Sequence, residues 1–509
     1  MPNSISKKIG IFKKPLKVLF VVAEAHPYAT VGGLGMVVFS LTRALKRIGL
    51  DCQIFMPKYG SIDEKKYKME MVFEGLKVPT GEKEEGEPLI CNVKRHISPE
   101  SGVPVYFLEN MEYYEKRSNV YGYSDDPTRF ALLSRGVLEF LIKSHWLPTV
   151  FSKKPRWLPD IINCADWHTG GLSNYLKTVY KDEPVLNKIK TVFSIHNLFF
   201  QGVFDHRFVS QMDFDDGKAS IAPFFSEKLG KQNFMRRGII YSDAVNTVSE
   251  TYAQEIMTPE YGEKLDDLLK EVRTKVFGIL NGLDYEQVNP ATDKLIPFNF
   301  SSSNFKDRIK NKKHLQKEFN LECLPEKPLL GMVTRLDEQK GLDLLFPILE
   351  ILINEFNCQF VIIGGGEGKY RSFFEEMAKK FPKKIGCHLM PDFNLSRHIF
   401  AGCDIFLVPS RFEPCGITQM EAMRYGAIPV VRKTGGLADT VEDFDPRTNS
   451  GTGFVFEKFS SHALFGAIIR ALEAYKYPRI WQKLIKRAMS ANFSWEASAQ
   501  KYLNLYKKL

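Results

Sequence analysis

The chain has 509 residues, too many for one hydrophobic core, which implies roughly two to four domains. Hydrophobic residues make up 44% and charged residues 26%, which excludes a disordered or collagen-like chain. The formal charge of +10 is dispersed among acids, as in "DEKKYK" and "GEKEEGE", which argues against nucleic acid as a partner.

Residues 1–16 read as a basic N-terminal extension without the apolar core of a signal peptide. The first strand pattern is "KVLFVVA" (17–23), and "YATVGGLGMVV" (28–38) follows it into a helical pattern. A glycine pair at such a strand-to-helix turn, here Gly32 and Gly33, either admits a phosphate or sugar to backbone N–H groups or makes a tight turn. No Lys or Arg lies inside the loop to meet an anion. Further strand patterns are "CQIFMP", "PVYFLE", "DIINCAD", "KTVFSIH" and "AVNTVS", with a helical pattern over 127–144. The charged, turn-rich segment 82–100 reads as a surface excursion. "NGLDYEQVNPATDK" (281–294) has the composition of a linker or hinge. A second series follows: "LLGMVTR", "FVIIGGG", "CHLMP", "DIFLVPS", "IPVVRK" and "GFVFE", with helical spacing over 341–355.

Two such series predict an α/β chain of two Rossmann-like, doubly wound domains facing across a cleft, with ligands at the carboxyl ends of the strands. The closing stretch "NFSWEASAQKYLNLYKKL" is an amphipathic helix with a Ser N-cap, and its aromatics Trp495, Tyr502 and Tyr506 read as packing. The eight cysteines form no CxxC pair and no zinc spacing, so Cys358 and Cys403 read as buried thiols. No run of about 18 apolar residues occurs, which predicts a cytoplasmic protein without a membrane partner.

Candidate chemistry sits at strand ends. Arg335 and Lys340, five residues apart after "LLGMVT", could neutralise a diphosphate without a metal, or be surface cations. Glu413 and Glu421 follow "DIFLVPS" eight residues apart; each could accept from sugar and ribose hydroxyls, and Glu413 could instead be a helix cap. Thr434-Gly435-Gly436-Leu437 repeats the Gly-Gly-Leu design of the opening loop. His168 in "DWHTG" and His196 in "IHNLFFQG" fall at adjacent strand tips and lack the companions of a zinc site.

With these residues in place the chain resembles the bacterial glycogen and starch synthases. The matches run from residue 17 to about 506. They include "MPKYG", "RFALLSR", "DWHTG", "IHNLFFQG", "TVSETYAQEI", "TPEYG", "GILNGLD", "NPATD", "TRLDEQKGLDLL" and "PSRFEPCGITQMEAMRYG". The resemblance implies the GT-B glycosyltransferase fold and retaining transfer of glucose from a nucleotide-glucose donor, ADP-glucose favoured, to an α-1,4-glucan acceptor, with no cofactor or metal. It implies an acceptor-side domain over 17–286 and a nucleotide-sugar domain over 287–480. A helical segment, 481–509, would pack back on the first domain.

By position, the resemblance makes Arg335 and Lys340 the diphosphate-holding cations and places Glu413 at the sugar. Cys415, Gly416, Ile417, Thr418 and the Thr434-Gly435-Gly436 loop would surround glucose and phosphate. His168 would line the reaction centre with Asp166 steering it. Asp125, Asn197, Gln201 and Asn233 match further sugar-site positions, Glu421 a ribose acid, and Gly32 and Gly33 a donor contact. The chain departs from the family where Thr30 replaces a Lys, Met36 replaces an Asp, and Pro391 takes the place of an aromatic at the base, with Phe393 near it. Two other readings fit the same residues: a related retaining transferase with a different acceptor, and a catalytically weak glucan-binding homologue.

Overall fold

The computed structural model describes residues 14–81, 86–146, 157–202, 215–304 and 306–509, so residues 1–13 of the N-terminal extension lie outside it. The chain forms two compact units. One is built from the residues up to Asn246 with Asp267–Phe277 and Ala499–Leu509; the other from Thr247–Asp266 and Gly278–Ser498.

The first unit carries a sheet of β1 (Lys17–Val21), β2 (Asp51–Pro57), β3 (Glu70–Val78), β4 (Leu89–Ile97), β5 (Pro104–Glu109), β6 (Ile161–Ala165), β7 (Lys190–Ile195), β8 (Ala244–Thr247) and β9 (Val276–Gly278). Their spatial order is β3-β4-β5-β2-β1-β6-β7-β8-β9. Neighbours from β5 to β7 pair parallel. These strands read as apolar runs because both faces are covered: β6 is buried throughout.

Residues 89–97 correct the reading of 82–100 as a surface excursion. They form β4, paired antiparallel with β3 and β5 at the sheet edge. The signal was hidden because only Cys91 and Val93 of β4 are buried, while Lys94 and Arg95 reach Glu64, Glu109 and Glu70. An open antiparallel edge tolerates such charges.

The second unit holds β10 (Leu329–Val333), β11 (Gln359–Ile363), β12 (Ile385–His388), β13 (Ile405–Val408), β14 (Ile428–Arg432) and β15 (Phe454–Phe456). Their order is β12-β11-β10-β13-β14-β15, with every pairing parallel. The order therefore reverses between β10 and β13. In the first unit the same reversal falls between β1 and β6. In open parallel sheets, the loops leaving two such strands diverge, and the crevice they leave is where ligands bind.

The stretch 281–294 is no free linker. It lies within the second unit, with Leu283 and Val288 buried. Leu283 N–H donates to the Phe493 carbonyl at 2.6 Å, and the Trp495 N–H donates to the Leu283 carbonyl at 3.2 Å. The segment 481–509 is likewise split. Helix Pro478–Ser490 belongs to the second unit, and Ala499–Leu509 to the first, where Asn246 and Asn163 donate to the hydroxyls of Tyr502 and Tyr506 at 3.0 and 2.9 Å. Trp495, Tyr502 and Tyr506 are all buried. Cys358 and Cys403 are buried free thiols. Among the described residues no helix is long and apolar enough to cross a membrane.

Candidate active site

In the second unit, β10 runs out into Thr334 and Arg335, and β13 into Pro409 and Ser410. A cavity of about 190 Å³ sits at this reversal point, lined by Thr334, Arg335, Lys340, Ser410, Glu413 and Thr418 among others. Lys340 Nζ lies 2.6 Å from Glu413 Oε2, and Ser410 Oγ donates to the same oxygen at 3.0 Å. The following helix starts only at Thr418, after Ile417, so Glu413 is an ion-paired acid and not its cap. Arg335 is exposed; its guanidinium reaches Gln339 at 3.1 Å and Asp337 at 3.2 Å. Of the two cations, Lys340 is mostly buried in its ion pair and Arg335 is exposed, with contacts only to its own loop.

Glu421 lies in the first turn of that helix. Burial raises its carboxyl above the ordinary range, and Arg397, 3.2 Å away, opposes the rise. The Arg397 guanidinium also lies 5.0 Å over the ring of Phe393, which is itself exposed. Burial pushes the Cys415 thiol up to about 12, so it is no nucleophile at neutral pH. Gly416 turns the backbone into the helix and its carbonyl accepts from Gln419 at 2.8 Å.

In the first unit, Glu24 and the glycine pair follow β1, and Asp166 and His168 follow β6, so both flank the reversal. His168 is buried against Trp167 (centroids 3.9 Å apart), Phe130 and Tyr121. Burial, with Arg129 adding to it, lowers the imidazole to about 3, so it is neutral at physiological pH. Neither of its ring nitrogens has a hydrogen-bond partner among the described residues.

Asp166 therefore does not steer His168. Its backbone sits at φ 54°, and its carboxylate accepts from the His196 N–H at 2.7 Å. It braces the end of β7 instead. Burial raises this carboxyl to about 7, against the pull of the His196 and Asn197 amides. Burial also lowers His196 to about 4.

The remaining sugar-site candidates are engaged with the protein. Asn197 accepts from Phe199 N–H at 3.1 Å. Asn233 Nδ2 donates to Gln201 at 2.8 Å, while its oxygen caps helix Phe234–Tyr241 through the Arg236 N–H. Asp125 pairs with Arg117.

Two glutamates escaped the sequence reading. Glu24, 2% exposed, accepts from the N–H groups of Val31 and Gly32. Glu255 accepts from Gly435 N–H at 3.0 Å and Thr434 Oγ1 at 2.9 Å. Burial raises both carboxyls, and the loop donors hold them down. Each glycine loop thus has at least one amide bound by a glutamate of its own unit. An available signal was Glu24 as the lone charge in the apolar run 18–25.

The two loops need glycine for different reasons. At Gly435, φ is +43° and a Cβ would stand 2.0 Å from the Glu413 carbonyl oxygen, so the fold itself demands glycine. At exposed Gly33, φ is −73° and a Cβ would meet nothing within 4 Å. Nothing within the first unit requires its glycine.

The sequence profile of a starch synthase catalytic domain matches residues 17–271, and that of the group 1 glycosyl transferases matches 316–488. The glycogen synthase of Desulforamulus reducens is 40% identical over 97% of this chain and 99% of its own length. That of Geobacillus stearothermophilus is 41% identical over 97% and 98%. Among solved structures, the catalytic domain of starch synthase IV from Arabidopsis thaliana, bound to ADP and acarbose, superposes with a TM-score of 0.81. It is 33% identical over 97% of this chain and 99% of that one.

Proposed function

The chain belongs to the glycogen and starch synthase family, retaining GT-B glucosyltransferases that elongate an α-glucan, and from this premise we propose that its donor is ADP-glucose and its acceptor the non-reducing end of an α-1,4-glucan. The observation that carries the assignment is the Lys340–Glu413 pair beside Arg335, at the β10–β13 reversal point. The ADP and acarbose in the related starch synthase IV support the same donor and a glucan acceptor.

In this reading Lys340 and Arg335 meet the diphosphate and neutralise the charge that grows as glucose leaves. Two cations beside a partly covered cavity would supply this charge without a metal. Glu413 holds Lys340 at 2.6 Å, which would limit its reorganisation when phosphate arrives. Glu413 and the Cys415–Thr418 turn address the glucose hydroxyls, and Glu421 the ribose. The acceptor hydroxyl attacks from the face the phosphate leaves, and the phosphate takes its proton, which preserves the anomeric configuration. Neutral His168 offers a hydrogen bond without adding charge. Gly33, free of any demand from its own unit, keeps room for the donor to approach the backbone.

The test is glucosyl transfer from radiolabelled ADP-glucose or UDP-glucose, with and without glycogen. Label entering long iodine-staining chains, faster from ADP-glucose, is the expected result. Label confined to a small product would move the assignment to a different acceptor, and no turnover of either donor would leave a glucan-binding protein.

A further inference from the structure

In the second unit, helix Lys306–Glu318 packs against helix Phe393–Gly402. His314 and Glu318 stand four residues apart on the first helix, so they leave it on one face. His398 comes from the second. Its Nδ1 lies 2.8 Å from Glu318 Oε2, and His314 Nε2 lies 3.8 Å from the same oxygen. The two imidazoles meet edge to face with centroids 5.4 Å apart.

The other nitrogen of His398 fixes its role. Nε2 lies 2.7 Å from the Leu295 carbonyl oxygen. A carbonyl only accepts, so Nε2 carries the N–H, and Nδ1 is the nitrogen left to face the carboxylate. A proton on Nδ1 would satisfy that single contact and leave His314, at 3.8 Å, beyond hydrogen-bond reach of the carboxylate. A cation serves all three groups at once. A backbone carbonyl behind the distal ring nitrogen is also the usual support of a metal-binding histidine.

We propose that His314, Glu318 and His398 bind a divalent transition-metal ion of the zinc class. Zinc bonds of about 2.0–2.2 Å in a tetrahedron set neighbouring ligand atoms about 3.3 Å apart. The separations of 2.8 and 3.8 Å bracket that value, and all three ligand atoms lie within 4.8 Å of one another. Two imidazoles with one carboxylate favour zinc over magnesium or calcium. Three protein ligands at a partly exposed surface leave a fourth position for water. The ion fastens the two helices together and, through Leu295, the segment before them. None of the three residues takes part in the transfer proposed above. The other carboxylate cluster among the described residues, Glu64, Glu109 and Glu115, already receives the ammonium groups of Lys58 and Lys94.

The experiment titrates the chelator-treated full-length chain with zinc by calorimetry, and with cobalt(II) by visible absorption. One zinc per chain is expected, with a tetrahedral-type cobalt spectrum and a thermal midpoint that zinc raises. His314→Ala and His398→Gln should each weaken zinc by more than about tenfold and abolish the midpoint shift. Cys323→Ser, which removes the exposed thiol, and Glu115→Gln should leave binding unchanged. Equal affinity in the native chain and both histidine variants, loss of binding in Cys323→Ser, or no binding at all would overturn the proposal.

Discussion

Lys340→Met separates the structural work of that lysine from its catalytic work. The substitution removes the ammonium 2.6 Å from Glu413 and leaves a carboxylate, 8% exposed, with Ser410 as its remaining hydrogen-bond donor. Breaking a fully buried ion pair from one side costs about 3–5 kcal/mol. The Lys340 side chain keeps 17% exposure and borders a cavity, so water can partly replace it. We therefore expect a loss of about 2–3 kcal/mol, read as a lower denaturant midpoint. In Lys340→Met/Glu413→Gln no unpaired charge remains, and most of that loss should be recovered. Activity should behave differently. A cation that meets charge developing on the leaving phosphate is worth about 10²–10³-fold in kcat, and neutralising Glu413 restores none of it. The assay is glucosyl incorporation into glycogen at saturating donor, on protein verified as folded. A kcat within a few-fold of native in Lys340→Met, or a stability loss that Glu413→Gln does not relieve, would refute the assignment.

Arg335→Ala should lower kcat by a similar 10²–10³-fold while changing stability by less than about 0.5 kcal/mol, because its contacts are exposed; an equal loss of both would show a scaffold residue. Thr30 is exposed, so Thr30→Lys fits without disturbing the core and should raise kcat/KM for the donor by about tenfold, the worth of one charge-assisted bond; unchanged kinetics would detach that position from the donor. Asp166 has a folded pKa near 7 against 3.8 for the free side chain, so the native state binds the extra proton. Its contribution to stability is therefore greatest below 3.8 and declines as pH rises through 7, and the stabilising effect of Asp166→Asn should grow over that window and then level off; a pH-independent difference between the two proteins would exclude the buried-acid account. Transfer should continue at the native rate in excess chelator, even where the chelator lowers the thermal midpoint; loss of transfer reversed by a metal would replace the two-cation scheme.

The strand patterns were legible because parallel strands covered on both faces leave uninterrupted apolar runs, as "FVIIGGG" and "DIFLVPS" do. Their punctuation also placed Arg335 and Glu413 at strand ends, where the reversal of strand order gathers them. The β3–β4 extension was not legible, since a strand near the sheet edge with its charges paired to its neighbours has no apolar period to follow. Nor was the place of 281–294. Its Asn, Pro and Gly describe turns, and turns packed against Phe493 and Trp495 look in sequence like turns in solvent. Asp166 was placed correctly and given the wrong neighbour, because a single positive-φ residue redirects a side chain in a way that spacing does not encode.

The two glycine loops also differ in the fold where they agree in sequence. In sequence the two Gly-Gly-Leu segments are alike, and the simplest reading treats both as amide cradles for an anion. In the folded units each cradle faces a carboxylate of its own unit, Glu24 on one side and Glu255 on the other. A phosphate cannot share an amide with a buried glutamate without strong repulsion, so positive charge must come chiefly from side chains. The second unit has that charge in Arg335 and Lys340, whereas the first has Thr30 where the family resemblance implies a lysine. In the proposed function the donor's diphosphate would therefore rest on the charges of the second unit, Arg335 and Lys340. This asymmetry is why placing a lysine at position 30 should raise kcat/KM for the donor, while removing the one at position 340 should slow transfer by about 10²–10³-fold.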